Sequence, residues 1–292
     1  MKTTTHRSLS VFAFGLFLAV GVQAQTPPIS FPDASPACTL KQRVGLTDIE
    51  VDYSRPGAKG REIFGGIVPY GTVWRTGANQ ATRITFSTPV KLEGHEIPAG
   101  TYGLFTIPDK SDWTIIINKG ANQWGAFQYK QSDDLLRFQV APISMDVPIE
   151  TFTIEFNRIR DESAMLNLAW DKTVVPIHLT VDVSSALVPQ IEAAMAQPGK
   201  KSDAFYFQAA TFYYDHDLDL TNALNWVNAG LADNSNIAFE MLHLKAEILA
   251  KQGDKAGAIA AAKQSTDLAN KAEGPGNSIA KMDQDLINSL QP

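Results

Sequence analysis

The strongest constraint on the fold is a change in residue usage near Pro189. Before it, β-branched and aromatic residues recur in runs of period two or in short apolar blocks punctuated by Gly and Pro. After it, Val227 is the only valine, while twenty alanines lie between Pro189 and the end of the chain. Val, Ile and Thr suit a pleated, half-buried surface, and Ala suits helices. The expected fold is therefore α+β: an antiparallel, jelly-roll-like β-sandwich followed by a small α-helical repeat-like domain.

Strands are expected from Thr39 to Val183, among them Thr39–Val44, Asp48–Tyr53, Val73–Thr76, Trp113–Asn118, Thr151–Asn157, Ala164–Trp170 and Val174–Val183. They are short and bounded by turn residues, which argues for antiparallel pairing and against a βαβ order. In Thr151–Phe156 the alternation is clear. Phe152, Ile154 and Phe156 share one face, and Thr151, Thr153 and Glu155 share the other, as expected for a strand with one wet face. The Glu93–Glu96 stretch reads as a hairpin tip. Nine of the 20 glycines fall between Ser54 and Gly103, marking the most loop-shaped part of the sandwich.

The helical half echoes itself. Leu218–Leu224 and Gly253–Ile259 align at an offset of 35 residues, close to the roughly 34-residue period of tetratricopeptide repeats. Helical stretches are expected at Ser202–Tyr214, at Asn236–Lys251 and at Ser278–Leu290, where Ile279, Met282, Leu286 and Leu290 are spaced to cover the end of the stack. Two repeats are marginal alone, so they are expected to lean on the sandwich or on a protein partner.

The N-terminus reads as a secretory signal. Lys2 and Arg7 precede the apolar run Val11–Val22, and Val22-Gln23-Ala24 offers small residues at the cleavage site. The expected organisation is a signal peptide at 1–24, a linker at 25–38, the sandwich at 39–185 and the helical tetratricopeptide-like domain at 186–292. Removing the two cations of the first 24 residues leaves 268 residues and takes the net charge from −6 to −8. The expectation is an exported, periplasmic or extracellular protein with no transmembrane segment in the mature chain. Its acidity leaves no footprint for nucleic acid. Cys38 is the one cysteine, so no intramolecular disulfide can form.

Motifs for catalysis are missing. There is no G-x-S-x-G elbow, no H-E-x-x-H and no glycine-rich phosphate loop. His95, His178, His216 and His243 are widely separated, so neither a metal nor a cofactor is expected. The Asp-rich run Asp215–Asp219 lacks the Gly and Glu of a calcium loop and fits a polar inter-helix turn. Two Gly-containing turns stand apart: Ser54–Arg61 and Gly71–Asn79. With Arg83 they place five cations (Arg55, Lys59, Arg61, Arg75 and Arg83) within 29 residues of an acidic protein. Arg offers a planar fork to carboxylate, phosphate or sulfate, and Trp a face for a sugar or a cation. The candidate ligand-binding residues are Arg55, Lys59, Arg61, Trp74, Arg75 and Asn79. Trp124 joins them from a second wall, Gly120–Lys130, which also carries Phe127 and Tyr129. The alternative reading makes Trp74 core, pairs Arg75 with an internal carboxylate and turns Asn79 on its own backbone.

Ser54-Arg55-Pro56, Lys59-Gly60-Arg61, Val68-Pro69-Tyr70-Gly71, the run Val73–Asn79 (VWRTGAN), Ala99-Gly100-Thr101-Tyr102 and Trp124-Gly125 together resemble the bacterial family catalogued as domain of unknown function 2911. The resemblance spans roughly Phe31 to Val183. It implies an exported protein, often with helical repeats behind the domain. No activity is established for that family, so the resemblance transfers no catalytic residue, and Cys38 is not part of its pattern. Three functions stay open on the residues: a non-enzymatic binding module for a glycan or another polar or anionic small ligand, with a protein partner on the helices; an envelope-associated hydrolase of a carbohydrate or polymer, using carboxylates such as Asp48, Glu62 and Glu96; and a structural assembly factor.

Overall fold

The structure is a computed structural model and describes residues 31–232 and 235–291. The expected signal peptide and residues 25–30 of the linker lie outside them. Ten strands come first: β1 (Ala37–Val44), β2 (Thr47–Ser54), β3 (Thr82–Phe86), β4 (Val90–Leu92), β5 (His95–Ile97), β6 (Gly100–Ile107), β7 (Trp113–Asn118), β8 (Asp134–Val140), β9 (Ile143–Asn157) and β10 (Ser163–Val181). They form two antiparallel sheets, ordered β1-β2-β3-β6-β7-β8 and β5-β4-β10-β9. Six helices follow: α1 (Ser184–Ala196), α2 (Asp203–Asp215), α3 (Leu220–Gly230), α4 (Ala238–Lys251), α5 (Lys255–Glu273) and α6 (Ser278–Leu290). Among the described residues no helix is long and apolar enough to cross a membrane.

Period-two patterning decides what lies between the sheets. On β2, Ile49, Val51 and Tyr53 point inward while Asp48, Glu50 and Asp52 point out. Trp113, Ile115 and Ile117 of β7 meet Phe152 and Ile154 of β9 and Leu166, Leu168 and Trp170 of β10 in one core. The outer face of the six-stranded sheet is covered on one half only. There Phe105 and Ile116, which point away from the main core, are sealed with Ala81 beneath Val73, Ala126 and Tyr129. Residues 119–130 form this cover and are pinned in the middle and at the C-terminal end. Gly125 N donates to Asn79 O at 3.0 Å and Ala81 N to Gln123 O at 2.9 Å. At the far end Asn118 Nδ2 donates to Lys130 O at 3.1 Å, and the Tyr129 hydroxyl to Asp134 at 2.8 Å. Burial and the neighbouring Asp134 carboxylate push the Tyr129 phenol up to about 12, so it stays a donor.

Several expected boundaries shift for physical reasons. Val73–Thr76 is not a strand; it makes a single bridge, Trp74 to Thr106, continuing the row of β3 beside β6. Ala164–Trp170 and Val174–Val183 fuse into β10, because the irregularity between them is a bulge at Asp171, where φ is +49°. The strand expected at Thr151–Asn157 starts eight residues earlier, at Ile143. The hairpin tip at Glu93-Gly94 is present, with φ of +48° and +80°, the left-handed pair a two-residue turn requires. Pro189 falls inside α1, so helix begins before the alanine-rich composition does.

The offset of 35 residues appears in the helices themselves. Starts at Asp203 and Leu220 recur at Ala238 and Lys255. Both second helices are capped by an aspartate at equivalent positions: Asp219 accepts from Thr221 N and Asn222 N, and Asp254 from Gly257 N. Replacing Asp219 by Ala strands two amide donors and is expected to cost about 1 kcal/mol in urea unfolding followed by helical circular dichroism. Leu187 of α1 and Phe212 of α2 also pack on the sandwich core, so the helices do lean on it. On α6 Leu286 and Leu290 of the expected face pack on the helical core, whereas Met282 is exposed and Asp283 and Ile287 are the buried residues.

Candidate functional site

The turn at Ser54–Arg61 runs along the free edge of β9. Ala58 N donates to Glu150 O at 2.7 Å, and Phe152 N to Pro56 O at 2.9 Å. Arg55 reinforces this seam, donating from Nε to Phe152 O at 3.1 Å and from Nη2 to Thr153 Oγ1 at 2.7 Å. Arg61 folds back on its own turn, to Ala58 O at 3.0 Å and Gly57 O at 2.7 Å. Lys59 is exposed, and its backbone amide donates to Glu150 at 2.9 Å. In this turn, then, both arginine forks are occupied by carbonyl and hydroxyl oxygens of the chain.

In the run Val73–Asn79 alternate residues part company. Trp74 faces the main core and is only 9% exposed. It stacks on Trp170 at 6.0 Å and takes Phe152, Phe64 and Trp113 edge-on at 5.1 to 6.2 Å, while its indole N–H donates to Gly77 O at 3.0 Å. Thr76, next on the same side, is fully buried and donates to Thr106 Oγ1 at 3.2 Å. Arg75, between them, lies on the outer side under residues 119–130. A Cβ placed on Gly125 would lie 3.6 Å from Arg75 Nη1. That is ordinary contact; what favours glycine here is φ of +69° and the Phe127 ring, which a Cβ would meet at 2.8 Å. Asn79 donates to Ser35 O at 3.2 Å and to Ser54 Oγ at 3.4 Å, which ties the N-terminal segment to the motif.

Arg75 is the unusual group. Among the described residues it has no ion pair, its guanidinium makes no hydrogen bond, and its Nε is fully buried without a partner. That burial pulls its pKa below the ordinary arginine value. An unpaired, half-buried cation is costly unless something neutralises it. Trp124 and Phe127, one residue before and two after Gly125, are 61% and 84% exposed. Tyr129, the third aromatic of this loop, instead packs on Phe105.

On the other side of Trp124 lies a cleft of about 410 Å³ over the uncovered half of the sheet, lined by Thr39, Asp52, Asn79, Gln80, Arg83 and Asn122 among others. Arg83 is spent inside it, on Asp52 at 2.6 Å and on Asn122 at 3.3 Å. Cys38 also lines the cleft, half-buried against the core beside Tyr53. The cleft-lining amides Gln80 and Asn122 were not singled out from sequence; the polar run Ala121–Gln123 next to Trp124 was the available signal. The carboxylates considered for hydrolysis are dispersed: Asp48 is on β2 beside Arg43, Glu96 on β5 of the other sheet beside Lys91, and Glu62 on an exposed turn.

Residues 35–179 match the model of the family described as "Protein of unknown function (DUF2911)". The sandwich belongs to this family. No curated protein and no solved structure matches the chain. The DUF2911 span runs from just before β1 to near the end of β10 and contains Arg55, Lys59, Arg61, Trp74, Arg75, Asn79 and Trp124; of these, Asn79 and Trp124 line the cleft and the others do not. All six helices lie beyond it.

Proposed function

We propose that this protein is an exported, non-enzymatic binding module whose DUF2911 sandwich holds a small anionic, hydroxyl-rich ligand, of which an acid-bearing glycan is the best-fitting class. The observation that carries this reading is Arg75, a half-buried guanidinium with no carboxylate partner among the described residues. An acidic group of the ligand supplies the missing counter-charge. The exposed ring of Trp124 offers a stacking face for a pyranose. The amides of Asn79, Gln80 and Asn122 give the cleft a polar lining suited to hydroxyls. Arg55, Arg61 and Trp74 act in this reading as scaffold, and the helices brace the sandwich.

The test is calorimetric titration of the mature protein with uronic-acid, sulfated and neutral oligosaccharides. A charge-assisted bond of about 1.5–3 kcal/mol corresponds to a loss of roughly 10- to 100-fold in affinity for Arg75→Ala. Trp124→Ala is expected to weaken binding further, and neutral sugars to bind the wild type no better than acidic ones bind Arg75→Ala. Equal affinity of wild type and Arg75→Ala removes this site.

A further inference from the structure

The free edge of β9 is covered from Glu150 onward by the Ser54–Arg61 turn, through Ala58 N to Glu150 O and Phe152 N to Pro56 O. The stretch before it is not covered. Ile143, Met145 and Val147 are 52%, 40% and 74% exposed, three of the twelve large apolar side chains exposed among the described residues, held within five positions of one strand. Residues 145–148 have no partner on β10 either, since the register jumps from Ile149 opposite Asp171 to Ser144 opposite Thr173, and β9 is the last strand of its sheet. An apolar edge of this kind is a template for another strand, and soluble proteins blunt such edges or use them.

The sequence of this edge identifies its occupant. Pro142-Ile143-Ser144-Met145-Asp146-Val147-Pro148 reads alike in both directions about Met145: proline, β-branched, polar, Met, polar, β-branched, proline. We propose that β9 pairs antiparallel with the β9 of a second copy of this chain, about a two-fold axis at Met145. A two-fold contact is self-complementary by definition, and this heptad satisfies that condition residue by residue. Ile143 then faces the partner copy's valine and Met145 its own counterpart. The Ser144 hydroxyl lies opposite a carboxylate to which it can donate, and no like charges meet. Proline, having no N–H, stops the ladder at both ends. The result joins the two copies through residues 143–147, and the proposal is independent of the Arg75 site.

Light scattering of the mature full chain at high micromolar concentration tests it. Wild type is expected to have the mass of two chains. Met145→Arg, which puts two cations on the axis, is expected to have the mass of one with an unchanged circular dichroism spectrum. Should that variant misfold, cross-linking decides. In a Cys38→Ser background, Met145→Cys is expected to form a disulfide with itself under copper-phenanthroline, because pairing on the axis brings the two α-carbons within about 4.4–6.8 Å. Ile143→Cys is expected to cross-link only when mixed with Val147→Cys. A single-chain mass for wild type, a dimer indifferent to Met145→Arg, or no self-linkage at position 145 each overturns the proposal.

Discussion

Trp74→Ala is expected to lower the unfolding free energy by about 4 kcal/mol, the cost of truncating a large aromatic in a packed core. The indole touches four other aromatic rings, Phe64, Trp113, Phe152 and Trp170, contributed from both sheets and from the loop between β2 and β3. No neighbour can relax into the space without giving up its own contacts. Truncation also leaves Gly77 O without its indole donor. Urea unfolding followed by far-UV circular dichroism is the measurement. With a slope of about 2 kcal/mol per molar urea, the midpoint is expected to fall by roughly 2 M. Trp74→Phe keeps a ring but loses the N–H and part of the volume, and about half the cost is expected. A loss below about 1 kcal/mol for the alanine variant would mean the ring is not sealed between the sheets.

The adjacent residue is expected to behave in the opposite way. Arg75→Ala removes a cation that burial already disfavours and that no carboxylate among the described residues offsets, so stability is expected to hold or rise while the proposed ligand binding weakens. Two neighbours in one motif thus divide into a packing residue and, on the proposed function, a recognition residue. Sequence reading located the motif but could not make this division, because which residue of a period-two pair faces inward depends on the sheet it joins. Here the sheet is entered through one bridge, Trp74 to Thr106, and Thr106 lies on the inner side of β6. The same limit explains Ser54–Arg61. Its arginines were legible as cations, but that they cover the edge of β9 depends on contacts across 97 and 98 residues of chain. Local signals fared better: the Glu93-Gly94 turn, the alternation in β9 and the 35-residue helical offset are each written within a few turns of chain.

The exposed Met282 on α6 has its explanation in the residue that follows it. Asp283 is fully buried, accepts from His243 Nδ1 at 2.7 Å and from Thr266 Oγ1 at 3.1 Å, and so joins α6 to α4 and α5. An apolar periodicity could not reveal it, because a polar side chain occupies the inward position and its partner lies 40 residues away. The carboxylate beside the imidazole raises the His243 pKa above 6.5, against the opposing effect of burial, with Glu247 at 3.7 Å adding to the rise. Removing one member of a buried pair leaves the other uncompensated. Asp283→Ala is expected to cost about 3 kcal/mol near pH 6, where His243 is charged. The sign of the pH dependence follows from the raised value. The stabilisation is fully present below the unfolded pKa of about 6.5 and is lost as pH climbs through the folded one. Glu247 is also raised, by burial first, but as an acid it penalises the folded state as pH climbs from about 4.5 to its folded value and is flat above that. Wild-type urea midpoints read by helical circular dichroism are expected to fall between pH 6 and 9, and Asp283→Asn to flatten that slope. An unchanged slope in Asp283→Asn would place the titrating group elsewhere.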